Sequence, residues 1–491
     1  MFHPSLAGIV PRLNASVPVS LLLIYIICVS PIFLLAYFGH SSRRAAARKP
    51  KGCRKLGLHD FSNLKDEDNY GTDGRPTRNK QSDEGRGRIR VKALLAYPIK
   101  SCAGVEFNIA DFVSTGMAYD RQFCFAEYVD APTSGAAESE GKKQDDQPAG
   151  QWMFRTMRDL KYAKLALIRP EIWVPDPSSP TYSPKRPEVR SKGVLVINYP
   201  RAPSGTGVTS LLLSFGMKLG LCSREESFQV PLIPAASAMK AGTYPSRSVR
   251  IWKDTPMAID YGKHLPSSLL AFIGASRPMT LFRIDPDHHR KVFRCAPSKE
   301  VLGFQATTGF ADAYPVHMLS LGSVREIDAR TKYAIPNLSV RRFRANIILE
   351  GSAAFAEDDW KRVRFIPRNG NRMLSNQVVE DAGKKERQNG TAADDSQNHS
   401  SENGNEGVEM YTACRTVRCR LPNVDPNTGV RHPVEPDKVL KSFRCIDAGD
   451  PYNACLGMQC VPAVEEFTLR VGDEVKVLEK GEHFYIKMGK A

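Results

Sequence analysis

The 491-residue chain lacks the short signatures that mark many common enzyme classes. It has no Gly-rich phosphate loop ending in Lys-Ser/Thr, which excludes the P-loop nucleotide hydrolases. It has no His-Glu-x-x-His, which excludes that class of zinc protease. The Gly-x-Ser-x-Gly elbow of serine hydrolases is missing too. With neither Gly-x-Gly-x-x-Gly nor a plant-type iron–sulfur spacing, redox chemistry here would need electrons from outside the chain. Acidic residues are in deficit, 53 against 69 Lys and Arg. The eleven cysteines are odd in number and irregular in spacing, which argues against a disulfide framework. No internal repeat is present.

The rest of the composition is that of a globular protein of two or three domains, 42% hydrophobic and 25% charged. Its net charge of +16 is uneven: residues 1–90 hold 15 Lys/Arg against 7 Asp/Glu. A charge-free run at 13–39, bounded by Arg12 and His40 and densest at 21–38, lies inside that basic head. It is long enough to cross a bilayer as a helix, kinked at Pro31, so residues 1–40 are expected to form an N-terminal transmembrane signal anchor. A cleaved secretory signal fits less well, because no Ala-x-Ala site clearly follows. Arg43, Arg44, Arg48, Lys49, Lys51, Arg54 and Lys55 follow the run, against Arg12 alone before it, which puts the body in the cytosol. There the two glycosylation sequons at Asn389 and Asn398 would go unused.

Residues 41–87 are polar and are expected to be a disordered tether, with order starting near Arg88. Strands are predicted at the stretch from Arg88 and at 121–128 and 194–199. Surface insertions are expected at 131–150, 174–190 and 376–407, the last disordered. The apolar runs at 467–471 and 474–478 flank Gly472-Asp473, a hairpin signal. Helices are expected at 267–273, 319–329 and 353–362. The fold class is therefore mostly β (α+β) with short helices.

Chemistry concentrates near Cys414-Arg-Thr-Val-Arg-Cys419-Arg-Leu-Pro-Asn-Val-Asp425-Pro. Basic residues beside these thiols would lower their pKa, as suits a nucleophile or soft-metal ligand. Three readings stay open from spacing alone: a buried structural cysteine, a zinc site with Cys455 and Cys460, or a single thiolate serving a redox metal or a nucleophile. Lys100 and Ser101 after a predicted strand, Arg121 before another, and Arg344 and Asn346 before an apolar run supply the cations and turn amides that a phosphate-bearing ligand needs. The alternative is scattered surface charge.

These segments together resemble the MOSC superfamily. YPIKSCAG and GMAYDR resemble its N-terminal module, FRANIILEGSAAFAEDDW its second block, and CRLPNVDPNTG its C-terminal pattern. The resemblance is closest to the mitochondrial amidoxime-reducing components. It implies an N-terminal β-barrel module at 88–260, with insertions, followed by a MOSC β-barrel-like domain at 261–480. It implies a molybdenum-pterin cofactor (Mo-molybdopterin) held by Lys100, Ser101, Arg121, Asp312, Arg344 and Asn346, with Cys419 as metal ligand and Asp425 as a catalytic proton carrier or orienter. Ala345 and Tyr314 depart from the family pattern.

The implied activity is reduction of a small N-hydroxylated substrate, N–OH to N–H plus water. Electrons would come from a b-type cytochrome and its NADH-dependent reductase, at the mitochondrial outer membrane or the endoplasmic reticulum. The alternative function is a carrier of the molybdenum cofactor, or of sulfur on Cys419. Nucleic-acid binding is not expected, because only the charge favours it.

Overall fold

The computed structural model describes residues 30–45, 49–68, 87–130, 150–202, 207–331, 334–336, 338–368 and 407–487. The chain forms two compact units, one of 1–48 with 200–227 and one of 49–199 with 228–491. The smaller contains helices α1 (Ser30–Ala45) and α2 (Val208–Lys218). In the larger, twelve strands frame the site: β1 (Ile89–Ala96), β2 (Phe123–Val129), β3 (Gln151–Phe154), β4 (Ser246–Arg250), β5 (Met257–Asp260), β6 (Met279–Ile284), β7 (Val316–Ser320), β8 (Ile347–Glu350), β9 (Trp360–Ile366), β10 (Val408–Val417), β11 (Cys455–Pro462) and β12 (Glu474–Lys480).

Strands β4-β5-β6-β2-β3 form a closed barrel. Its closing pair is parallel, Val249 opposite Trp152 and Arg250 opposite Met153. The pleat of β2 shows why its apolar run is a strand. Phe123 and Phe125 enter one hydrophobic cluster with Leu281 and Ile259, while Cys124 and Ala126 enter another with Phe282 and Val249. With both faces covered, the strand is nearly continuous in apolar residues rather than alternating.

The second sheet runs β8-β7-β11-β10-β9-β12-β1, with Val105–Phe107 at its edge. A further pairing of β8 with β1, Ile347 opposite Leu94, closes seven strands into a ring. Trp360, Phe365, Met410 and Met458 are fully buried in its core. The two barrels do not divide at residue 260: β6 completes the first, whereas β1 belongs to the second.

Several expectations need correcting. The tether is not polar chain throughout, because Cys53–Lys55 pairs with Arg169–Pro175. Lys55 also bonds Glu171 at 2.9 Å, and Leu64 is buried. These few docking contacts outweigh a polar composition. The hairpin at Gly472-Asp473 does not form. Phe467–Arg470 pairs with Ile109–Val113, and β12 pairs with β9 and β1. The Gly-Asp turn is real, but it sends its two strands to different sheets. Only a short 3-10 turn, Ala356–Asp359, occupies the 353–362 helix, since Trp360 enters β9. Among the described residues no helix is long and apolar enough to cross a membrane. Of the expected anchor only the portion from Ser30 is described, and the insertions at 131–150 and 376–407 lie almost wholly outside the described residues.

Gly116 shows how the fold fixes the site's approach. Its φ is +108°, and a Cβ there would stand 2.2 Å from the carbonyl oxygen of Pro315, beside β7. Gly116→Ala is expected to cost about 1–3 kcal/mol from backbone strain and that collision. A shift in the urea midpoint measures it, and an unchanged midpoint would show that the segment before β7 can move aside.

Candidate functional site

The segments flanking β1, β2, β7, β8 and β10 converge on a cavity of about 370 Å³. Its wall includes Lys100, Ser101, Arg121, Asp312, Arg344, Asn346 and Cys419, so seven of the eight sequence-predicted residues meet there. Asp425 does not line it. Its carboxylate bonds Arg342 at 3.0 Å, and Arg342 also donates to the carbonyls of Pro422 and Asn423 at 3.2 Å. Asp425 therefore steadies the loop after Cys419 through Arg342.

The cations are built in rather than scattered on the surface. Lys100 is buried and donates to the Phe310 carbonyl at 2.8 Å and to Asp312 at 2.6 Å. Burial lowers its pKa, and the Asp312 carboxylate opposes the shift. For Asp312 itself desolvation acts upward, but Lys100, Arg121 and the Trp252 indole hold its carboxyl down to about 2. Arg121 bonds Asp120 at 2.7 Å and donates to the Arg344 carbonyl at 2.9 Å. The guanidinium groups of Arg121 and Arg344 stand 4.6 and 4.2 Å from the centre of the Tyr97 ring. Burial and the neighbouring Arg121 charge bring Arg344 down to about 10. Its Nη2, buried, has no hydrogen-bond partner among the described residues, and neither has the buried hydroxyl of Thr416 in the same wall.

Asn346 has a different part. Its oxygen accepts from Arg121 and from the His317 amide, and its nitrogen donates to the Leu95 carbonyl. With all of these bonds made inside the protein, Asn346 positions the cations.

The expectation for Cys419 was a thiol acidified by its basic neighbours. The structure shows a net shift upward. Burial outweighs the Leu421 amide, Arg158 and Arg418, and Asp312 adds to it. Desolvation of a thiolate costs more than these cations return. Cys414 is fully buried and does not line the cavity; it packs in a cluster with Val292, Val461 and the cavity-lining Tyr314. Among the described residues no three His, Cys, Asp or Glu side chains gather as a metal cluster, so the zinc alternative has no ligand set there.

Sequence reasoning missed several residues. Arg418 lies beside Cys419, bonds the Leu456 carbonyl and meets His317 Nε2 at 2.7 Å. Arg290 donates to the carbonyls of Gly309, Ala311 and Asp312, clamping the loop that carries Asp312. Trp252 donates to Asp312 at 3.2 Å. A buried arginine looks like a surface one in a sequence. Backbone strain is the signal that marks the site: of eight non-glycine residues with positive φ among those described, Ser101, Arg121, Trp252 and Arg344 line this cavity.

Two closed barrels and a buried cationic cavity with one thiol in its wall define a protein suited to an anionic ligand that also offers a soft metal centre. Residues 88–171 match the MOSC N-terminal beta barrel domain and residues 305–381 the MOSC domain, so the chain is similar to MOSC-domain proteins over those two stretches. It is similar to "Mitochondrial amidoxime-reducing component 1" of Xenopus laevis, 28% identical over 227 residues, 45% of this chain and 53% of that one. The protein of the same name from Danio rerio is 24% identical over 216 residues, 44% of this chain and 52% of that one. The chain thus spans about half the length of the curated relatives it matches. A solved structure of the YUAD protein from Bacillus subtilis covers 38% of this chain and 73% of its own, with 13% identity and a TM-score of 0.17.

His317 gives a pH test. Burial, Arg418 and Arg121 press its pKa well below 6.5, so the folded protein keeps it neutral. As pH falls below 6.5 the unfolded chain takes up a proton that the folded one refuses, and stability is lost. The thermal midpoint should fall between about pH 7 and about pH 5, and His317→Gln should make that fall shallower. An identical slope in the variant would show that other groups carry the dependence.

Proposed function

We propose that this chain is a molybdenum-cofactor-dependent reductase of small N-hydroxylated compounds. The observation that carries the reading is the buried cation cavity, with the unpartnered Nη2 of Arg344 and with Cys419 in one wall. The residues fit the cofactor. Lys100, Ser101, Arg121 and Arg344 offer donors and charge for a phosphate and a pterin, and Cys419 offers the soft thiolate that molybdenum prefers. The names of the relatives support the substrate class and a mitochondrial location.

Once bound, the cofactor would supply two-electron exchange at an oxygen-accepting metal: an N–OH group, two electrons and two protons become N–H and water. The protein supplies the surroundings. Binding at Cys419 requires the thiol to lose a proton that burial makes it hold, so loading releases that proton and favours higher pH. Asp312, ionised at neutral pH, accepts from Lys100 and Trp252 and fixes both beside the thiol's cavity. Asp425 orients the 420–425 loop through Arg342.

The lack of a flavin or nicotinamide fingerprint supports an external donor, a b-type cytochrome with its NADH-dependent reductase. The charge-free run at 13–39 and the basic residues after it support a membrane anchor, with the body in the cytosol at the mitochondrial outer membrane.

Cys419→Ser should fold, and should lose turnover of an amidoxime with a chemically reduced b-type cytochrome by on the order of a hundredfold or more. Cys414→Ser, outside the cavity, should keep most of it. Repeated turnover with molybdenum in the protein supports the enzyme. Consumption of no more than one equivalent by the wild type would replace it with the carrier alternative. Arg344→Ala should weaken cofactor retention by about 1.5–3 kcal/mol, read as molybdenum content after dialysis, and unchanged content would remove Arg344 from the ligand contacts.

A further inference from the structure

The smaller unit carries a helix built inside out. In α2, Val208, Leu211 and Phe215, with Leu219 just after it, recur at steps of three and four and so share one face. That face is the open one: the four are 71%, 68%, 58% and 56% exposed. The two serines lie off that face. Ser210 and Ser214 are only part-exposed, and the Ser214 hydroxyl folds back onto the Ser210 carbonyl at 2.9 Å. A helix in contact with water shows the reverse arrangement.

The neighbour of α2 says what this face meets. Gly216 lies against the ring of Phe38 in α1, so closely that a Cβ there would be 2.6 Å from it. Phe38 stands at the end of the charge-free run 13–39, just before Arg43 and Arg44. If the proposed anchor holds, the basic residues that follow Phe38 mark the end of the run at the lipid–water boundary, and Phe38 lies near it. In α1 itself Ile32 and Phe33 are also open, 66% and 64% exposed. Lys218 and Arg224, both exposed, flank the stripe and complement anionic headgroups.

We propose that α2 is a second membrane contact, an interfacial helix that lays its Val208-Leu211-Phe215-Leu219 face among the lipid headgroups and upper acyl chains. The proposal rests on the membrane anchor of the preceding subsection but assigns a separate part of the chain, some 170 residues downstream of α1. Its consequence is that the smaller unit is held at two points, which limits its tilt and rotation on the bilayer.

The test places a tryptophan at Phe215→Trp in the full chain on vesicles of phosphatidylcholine and phosphatidylserine, with the wild type as background for its 4 native tryptophans. The expected result is a blue shift of the added emission and its loss when the phosphatidylcholine is brominated near the headgroup. Adding Leu211→Glu and Leu219→Glu, at exposed positions that leave the fold intact, should abolish both. Emission quenched by acrylamide and not by brominated lipid overturns the proposal, as a water-facing helix. Emission that is blue-shifted but quenched by neither overturns it too, since residues 1–29 or a second copy of the chain then cover the face. The two membrane readings separate in alkaline carbonate. A chain that washes off after its added tryptophan was quenched by lipid overturns the spanning anchor and supports the interfacial helix. A chain that stays while residue 215 responds only to acrylamide keeps the anchor and loses the helix.

Discussion

Lys100, Arg121, Arg344 and Arg418 are all buried or nearly so around one cavity, and the structure near it is organised by what that requires. Moving a cation out of water costs several kcal/mol unless it is paired and fully hydrogen-bonded. Two carboxylates, Asp120 and Asp312, answer two of the cations. Backbone carbonyls of Phe310, Arg344, Leu456 and Phe343 answer much of the rest. Strand ends are where such carbonyls are free of ladder bonds, which is one reason the site lies where strands begin and finish. The ring of Tyr97, close to two guanidinium groups, adds an attraction that needs no counter-charge. What remains unanswered, Arg344 Nη2, is what an anionic ligand would complete.

The same constraint explains the strained backbone. Arg121 and Arg344 both adopt the left-handed conformation, at φ of +44° and +56°. Each sits at a bend that turns its side chain toward Tyr97, and the hydrogen bonds of Asn346 tie the two bends together. Arg290 does for the Asp312 loop what Arg342 does for the loop after Cys419: one guanidinium gathers several carbonyls and a carboxylate. Pieces of chain distant in sequence are thereby held as one wall.

How much of this was legible in the sequence differs by residue. β1 and β2 were readable because period and β-branched or aromatic content agree there. Lys100, Ser101, Arg121, Arg344 and Cys419 were readable because short stretches around them resemble a family's blocks. Partner choice was not readable at Gly472-Asp473, since a turn signal carries no information on where each arm will pair. Docking of 49–68 was missed because Leu64 and the bond from Lys55 to Glu171 are single features in a polar background. The direction of the Cys419 shift was misjudged for a physical reason. Charge is visible in sequence and burial is not, and here burial is the larger effect. The α2 stripe is apolar at helical spacing, which ordinarily marks a core, and only its exposure shows otherwise.

The ring closure of the second barrel also has a consequence in time. β1 is made early, yet its partners β8 and β12 come from residues 347–350 and 474–480. At about 5–20 residues per second, β1 leaves the ribosome on the order of tens of seconds before β12 does. Through that interval Leu94, Leu95 and Ala96 can pair with Val105–Phe107, but the edge that β8 will take has no native neighbour and invites pairing with the wrong chain. Biogenesis of this protein is therefore expected to depend on chaperones that shield an early strand until the last one arrives.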